Sequence, residues 1–380
     1  MITLLIFIFI LSILILIHEL GHFVAAKKSG ILVEEFGLGI PPRIVGKKFG
    51  ETLYSLNALP FGGFVKLFGE DYEEGDPEIT ANPRSFISKS TLIRSIILSA
   101  GVIMNFVLAI TLYYVLFSFT NFKSLNLPLL FDYRFKYGDS HFTETVITGF
   151  SSDSPTETSG AVMGEAILEI DGVQVKNIDD VKLAVKDKPN TEVTLLLKDL
   201  RGNYKDRFRT ISVETTSSEE GEGLLGVYIS SSVQVFYSSK IFAPFQHAYN
   251  VLSYTYNTFK EFIKISFQMK SVEPVSSGVA GPVGIYSIVG GILSYGGYDA
   301  LLGIIDFTAL LSLSLALLNI LPLPALDGGR LFFIGLEVIL GKKVNQKVEA
   351  SVHKWGMLFF FGMLFIITIK DIRRFFPFGR

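Results

Sequence analysis

Residues 2–26 read ITLLIFIFILSILILIHELGHFVAA, an almost uninterrupted apolar run with His18-Glu19-Leu20-Gly21-His22 set near its C-terminal end. A stretch of this length is what a helix needs to cross a bilayer core of about 30 Å. On that helix, residues four apart project from one face about one turn apart. Both imidazoles can therefore reach a single tetrahedral divalent cation, with Glu19 beside its open coordination position. The competing reading is a pair of packed or interfacial histidines. In hydrocarbon that reading weakens, because three ionisable groups within five residues are costly and mark function.

Composition bounds the rest. Of 380 residues, 49% are hydrophobic and only 18% charged, and the mean hydropathy is +0.44, so the chain reads as a membrane protein. With 34 basic against 36 acidic residues there is no electrostatic footprint for nucleic acid. Zero cysteines exclude disulfides, Cys-type zinc sites and thiol nucleophiles, so any metal must rely on His, Asp and Glu. The N-terminal run lacks a basic leader and a small-residue cleavage site, so it is expected to stay on the protein, with Met1 close to the mature start.

Four stretches can span a bilayer: Ile2 to Ala26, Ile93 to Phe119, Ala300 to Leu321 and, shorter, Trp355 to Ile369. The segment between the first two is rich in Lys and Arg (Lys27, Lys28, Arg43, Lys47, Lys48, Lys66, Arg84, Lys89, Arg94), which places it in the cytoplasm and the long Asn121 to Asp299 segment outside. Lys342, Lys343, Lys347 and Lys354 fit that orientation, whereas Lys370, Arg373 and Arg374 oppose it. At about 1.5 Å per residue, His18 lies roughly 13 Å and His22 roughly 7 Å from the Lys27-Lys28 pair, which submerges the site in the cytoplasmic leaflet.

Leu32 to Phe68 is punctuated by Gly and Pro and reads as a small β element, including Thr52 to Leu59 and Phe64 to Phe68. Its apolar end suggests hairpins that dip into the bilayer beside the site. Thr143 to Ile229 has a soluble composition, with strand-like Ala166 to Ile170, Val193 to Leu197 and Arg207 to Val213, a turn at Asp171-Gly172 and a short helix near Ile178 to Val185. Phe245, Tyr249, Leu252, Tyr256, Phe259, Ile263 and Phe267 form one helical stripe that would lie along the outer interface or cover the membrane core. Gly278 to Gly297 is open to a loop or a re-entrant segment.

A catalytic zinc needs a third protein ligand. After the third span the chain reads Asn319-Ile-Leu-Pro322-Leu-Pro324-Ala-Leu-Asp327-Gly-Gly, where two prolines break the helix beside a lone carboxylate. Asp327 is the candidate, although an Asp-Gly turn or a helix cap would also explain it. Asp306 and Glu337 are rivals. Asp306 sits mid-span without turn chemistry, and Glu337 is expected on an amphipathic surface.

With HExxH in the first span and Asn-x-x-Pro-x-Pro-x-Leu-Asp-Gly after a later one, the chain resembles the site-2 protease family of intramembrane zinc metalloproteases, most of all its bacterial regulator-of-sigma-E branch. Further matches are Phe36-Gly-Leu-Gly, Leu59-Pro-Phe-Gly-Gly-Phe-Val-Lys66, Asn105-Phe106, a PDZ-like segment and Gly281-Pro-Val-Gly-Ile. The resemblance implies His18, His22 and Asp327 as Zn2+ ligands and Glu19 as the acid/base. Substrate contacts would come from Asn319, Pro322, Pro324, Leu59, Phe61, Gly62, Gly63 and Phe64. Three departures stand out: Gly101-Val102 where relatives often have Gly-Pro, Gly164-Glu165 for Gly-Asp, and a single PDZ-sized segment.

The expected fold is a polytopic α-helical membrane protein of about four transmembrane helices, with a membrane-associated β element and one extracytoplasmic PDZ-like α+β domain. Helix one would occupy 1–27, the cytoplasmic β region 28–91, helix two 92–120 and a linker 121–142. The PDZ-like domain would follow at 143–236, the amphipathic helix and Gly-rich segment at 237–298, helix three at 299–330, an amphipathic segment at 331–354, helix four at 355–371 and a tail at 372–380. Its expected place is the bacterial inner membrane and its expected substrates are single-span membrane proteins. A zinc transporter explains the three ligands but not Glu19. A PDZ scaffold needs one anchor, not four spans.

Overall fold

The computed structural model describes residues 1–70, 77–200 and 207–375. The chain divides into two compact units. The first holds residues 1–113, 271–294 and 304–380, and the second holds 114–270 and 295–303.

The first unit is mainly helical. Helix α1 (Ile2–Lys28) buries Phe7, Ile10, Leu14, Gly21, His22 and Ala26, a stripe at helical spacing. After it come strands β1 (Val33–Phe49) and β2 (Thr52–Leu67), then α2 (Pro77–Ala81), a 3-10 turn at Phe86–Ser88 and α3 (Thr91–Phe119), within which the division between the units falls. β1 pairs with β2 antiparallel and the ribbon folds over. Phe36 is in register with both Val65 and Tyr54, while Val45 to Phe49 close a hairpin on Thr52 to Leu56. The β element thus forms two long strands rather than separate short pieces.

At the C-terminal end of α1, Ala26, Ile31, Val33, Leu67, Ile97 and Ile334 share one buried cluster that joins α1, the β ribbon, α3 and a later helix. The ribbon is also pinned electrostatically: Glu51, in its turn, accepts from Lys27 at 2.7 Å and Arg84 at 2.6 Å. These two cations hold its carboxyl down to about 2.

In the second unit, β3 (Leu127–Leu129), β4 (Asp139–Phe150), β5 (Glu165–Ile170), β6 (Val173–Gln174), β7 (Glu192–Asp199), β8 (Arg207–Glu214) and β11 (Val227–Phe236) make one sheet, ordered β3-β11-β4-β5-β7-β8 with β6 on β5. The small strands β9 (Thr216–Ser217) and β10 (Gly223–Leu224) pair separately. The sheet and the helices α4 (Pro155–Thr158) and α5 (Ile178–Val185) enclose a core of alternating inward residues such as Val193, Leu195 and Leu197, all fully buried. Truncating one of these, Leu195→Ala, costs about 2–5 kcal/mol. The expected linker over 121–142 is partly sheet, since Leu129 pairs with Ser231 and β4 begins at Asp139. Glu165, the departure from Gly-Asp, is buried and grips Arg209 with two contacts at 2.7 Å, which the longer side chain allows.

Helix α6 (Ala243–Met269) follows in the same unit. It buries His247, Asn250, Val251 and Tyr254, so the aromatic stripe inferred from periodicity is its exposed face: Phe245, Tyr249, Tyr256 and Phe267 are all open. His247 receives Tyr237 Oη at 2.9 Å and meets Phe117 edge-on, and burial pushes its pKa down to about 3.

The remaining helices are α7 (Glu273–Ser277), α8 (Pro282–Ser294), α9 (Gly297–Ile320), α10 (Asp327–Leu340) and α11 (Gln346–Phe375). The Gly278 to Gly297 stretch, left open between loop and re-entrant segment, contains the helix α8. Its amides at Gly281 and Gly284 donate to Asp371 Oδ2 at 2.8 and 2.9 Å, so a carboxylate from α11 caps it. The segment 331–354 is not one amphipathic piece: α10 ends at Leu340 and α11 already begins at Gln346, which makes the fourth apolar helix longer than its hydrophobic run. Residues 372–375 continue α11, and 376–380 lie outside the described residues.

Among the described residues, four helices are long and apolar enough to cross a membrane: α1, α3, α9 and α11. On α11 the apolar side chains Trp355, Phe359, Phe361 and Phe365 are 62–68% exposed, which suits lipid rather than water.

Candidate metal centre

The site is built from both ends of the chain. α1 presents His18 and His22 one turn apart. The chain leaves α9 at Ile320, turns through Leu321 to Leu326 and enters α10 with Asp327 as its first residue. Ala325 sits in the left-handed region (φ 69°), which costs a non-glycine residue about 1 kcal/mol. Its N–H donates to His353 Nδ1 at 2.9 Å and helps to hold the turn. The alternative of Asp327 as a side-chain cap does not hold, for the N-cap is Leu326 and no side chain caps the helix.

Three ligand atoms converge. His18 Nε2 and His22 Nε2 are 3.2 Å apart, and Asp327 Oδ2 lies 3.1 Å from the first and 3.3 Å from the second. Two donors on zinc at tetrahedral angles, with bonds of about 2.0–2.1 Å, stand about 3.3 Å apart. The triangle therefore has the edges of a tetrahedral site. Asp327 Oδ2 is buried and makes no hydrogen bond of acceptable geometry despite its two neighbours, which is what lone pairs aimed at a shared cation require. Among the described residues, these three form the group of His, Asp or Glu able to share a metal.

The outer nitrogens of the imidazoles are also held. His22 Nδ1 donates to the carbonyl of Ile97 at 2.8 Å, and His18 Nδ1 lies 3.3 Å from the Asn105 amide. Asn105 Oδ1 is buried without a partner. Turning that amide over gives Oδ1 to an Nδ1 proton, as a metal on Nε2 demands. Asn105 is itself fixed, since Ser312 Oγ donates to its carbonyl at 2.7 Å.

α3 can supply these groups because it touches α1 backbone to backbone. A Cβ on Gly21 would stand 2.3 Å from the Ala100 carbonyl, and one on Gly101 would stand 2.4 Å from His22 Nε2. Neither position has room for a side chain.

Glu19 receives the Val65 N–H from β2, and a Cβ on Gly63 would lie 3.3 Å from its Cγ. Of the expected substrate contacts, Gly63 is thus brought to the centre. Phe64 packs its ring over Gly37, Gly62 faces Ile40, and Leu59 is exposed. The side chain of Phe61 lies outside the described residues. Asn319 is half-buried in the last turn of α9, and Pro324 packs against Gly356 of α11 while Pro322 is exposed. The rival acids stand elsewhere. Asp306 is in mid-α9, outside the cluster. Glu337, expected on a surface, is buried and pairs with Arg94 of α3.

Spacing alone gives Asn105 and Gly101 no role. The mid-span polar amide was the available signal for Asn105.

Residues 6–363 match the family described as Peptidase family M50. A Clostridium perfringens protein bearing a zinc metalloprotease name is 32% identical, over 95% of this chain and 96% of its own. The probable membrane metalloprotease ARASP2 of Arabidopsis thaliana is 33% identical, over 95% of this chain and 78% of its own. The zinc metalloprotease RasP of Oceanobacillus iheyensis is 26% identical over 99% of this chain and the whole of its own. A PDZ domain of an SdrC-like protein from Listeria monocytogenes covers 23% of the chain at 18% identity with a TM-score of 0.20.

Proposed function

The chain belongs to peptidase family M50, and from that premise we propose that His18, His22 and Asp327 hold the zinc of an intramembrane metalloprotease while Glu19 moves its protons. The convergence of Asp327 Oδ2 with two imidazole nitrogens carries this assignment. When bound, zinc supplies the Lewis acidity that makes water nucleophilic near neutral pH and polarises a carbonyl.

The chain's own residues do the rest. Ile97 and Asn105 fix the two imidazoles, and Val65 aims the Glu19 carboxylate. Glu19 takes one proton from the attacking water as the C–O bond forms. It returns that proton to the departing amide nitrogen as the C–N bond breaks. No covalent intermediate is needed.

The substrates are transmembrane segments, whose carbonyls are hydrogen-bonded within a helix and must be freed by local unwinding before attack. Leu59, Phe61, Gly62, Gly63 and Phe64 on β2 receive the extended chain, with Gly63 beside Glu19, and Asn319, Pro322 and Pro324 supply further contacts. Among single-span substrates, anti-sigma factors and signal-peptide remnants fit this description. The basic residues from Lys27 to Arg94 favour a multi-pass arrangement in the bacterial inner membrane, with the centre in the cytoplasmic leaflet. The β-rich segment 143–236 is then a PDZ-like extracytoplasmic domain that admits substrates already trimmed on that side.

Glu19→Gln is the test. The variant should keep one zinc per chain and lose cleavage of a single-span model substrate by about 100- to 10,000-fold. Full activity would remove Glu19 from the mechanism, and an absence of zinc in the wild type would remove the metal.

A further inference from the structure

Asp327 is useful only at the height where it meets the imidazoles, and α10, tethered to α9 by the turn from Leu321 to Leu326, is held at that height by its own contacts as well. Apolar packing of Ile334 against Ile97 and Leu67 holds the helix sideways but is non-directional and tolerates sliding. Two ion pairs are directional. One turn after Asp327, Arg330 pairs with Glu70 just beyond β2, the strand that aims Glu19. Farther along, Glu337 pairs with Arg94, and both side chains are buried, 8% and 6% exposed. Arg94 stands one turn before Ile97, whose carbonyl holds His22.

The Arg94–Glu337 contact therefore joins the two supports of the centre, the α3 turn behind His22 and the helix that begins with Asp327. We propose that Arg94 and Glu337 are a positioning pair that sets the Asp327-to-imidazole distance, so that zinc affinity depends on a contact that includes none of the ligands. This rests on the reading of His18, His22 and Asp327 as zinc ligands. Metal bonds tolerate about 0.2 Å of misplacement, and a guanidinium–carboxylate contact is stiff enough to hold that tolerance where a sliding apolar face is not.

The experiment measures Zn2+ affinity of the full-length protein by chelator competition, alongside thermal unfolding of the metal-free form. Glu337→Gln should weaken zinc binding about 10- to 100-fold, the range for groups that orient ligands, with cleavage recovering in excess Zn2+. Because that variant leaves the buried Arg94 without its direct partner and only Glu349 nearby, the double variant Arg94→Met/Glu337→Leu is measured with it. Replacing both charges by apolar groups should leave the metal-free unfolding temperature near that of the wild type and still weaken zinc binding at least about tenfold. Wild-type zinc affinity in either folded variant overturns the proposal. So does failure of both to fold in saturating Zn2+, which would make the pair a support of the whole unit. A wild type that binds no zinc would instead overturn the ligand assignment and leave this pair aside.

Discussion

Replacing Gly101 by alanine adds one carbon to a residue with no chemistry of its own, yet that carbon would stand 2.4 Å from His22 Nε2 and 2.7–2.8 Å from His18 Cε1 and Nε2. Ordinary contact begins at 3.4 Å, so the imidazoles must retreat by about 1 Å, five times the tolerance of about 0.2 Å for a metal ligand. Backing α3 away instead would open the contact at Gly21, where α1 and the Ala100 carbonyl already meet. Helix propensity points the other way, because Gly→Ala within a helix favours α3 by about 1 kcal/mol. The expected outcome is a folded, helical protein with zinc below about a tenth of the wild-type content. Its cleavage should be at least about 100-fold slower, as for a displacement of about 1 Å. Metal content per chain and turnover of a single-span substrate read both effects. A Gly101→Ala protein with one zinc per chain and activity within about threefold of wild type would refute the packing argument.

Asn105→Ala removes the amide that holds His18 Nδ1, and it should weaken zinc binding or turnover about 10- to 100-fold, checked by chelator competition. His247 makes the β-rich unit sensitive to acid. Its folded pKa of about 3 lies below the ordinary 6.5, so between these values the unfolded chain holds a proton that the folded one refuses. Stability is full above pH 6.5 and falls as pH drops towards 3, with about 2 kcal/mol lost by pH 5. Unfolding of the wild type at pH 7.5 and 5 should show that loss, and His247→Gln should flatten it.

The centre was legible because HExxH is a covalent spacing on one helix and Asp327 follows an Asn-x-x-Pro-x-Pro signature. Local pattern suffices for both. The groups that make the triangle work come from elsewhere, and their signals are weak. Gly101 is one glycine among 35, and only its position opposite His22 gives it meaning. Glu337 reads as a surface acid on an amphipathic helix until Arg94, 243 residues away, is placed beside it. The helix α8 was hidden by Gly-rich composition, because its cap comes from Asp371 on another helix. The stripe on α6 was a correct period with an undetermined direction, since periodicity finds a face without saying what covers it. The polar start of α11 is invisible to apolar length, which reports what can sit in lipid, while a helix continues as far as its backbone finds partners.

Asp327, the proposed third ligand, lies 309 residues after His18. At synthesis rates of about 5–20 residues per second, roughly 15–60 s separate the emergence of the two. During that interval the nascent chain holds an incomplete hydrolytic apparatus, inert towards its neighbours at the translocon and towards itself. Only after nearly the whole polypeptide has been made does it become dangerous.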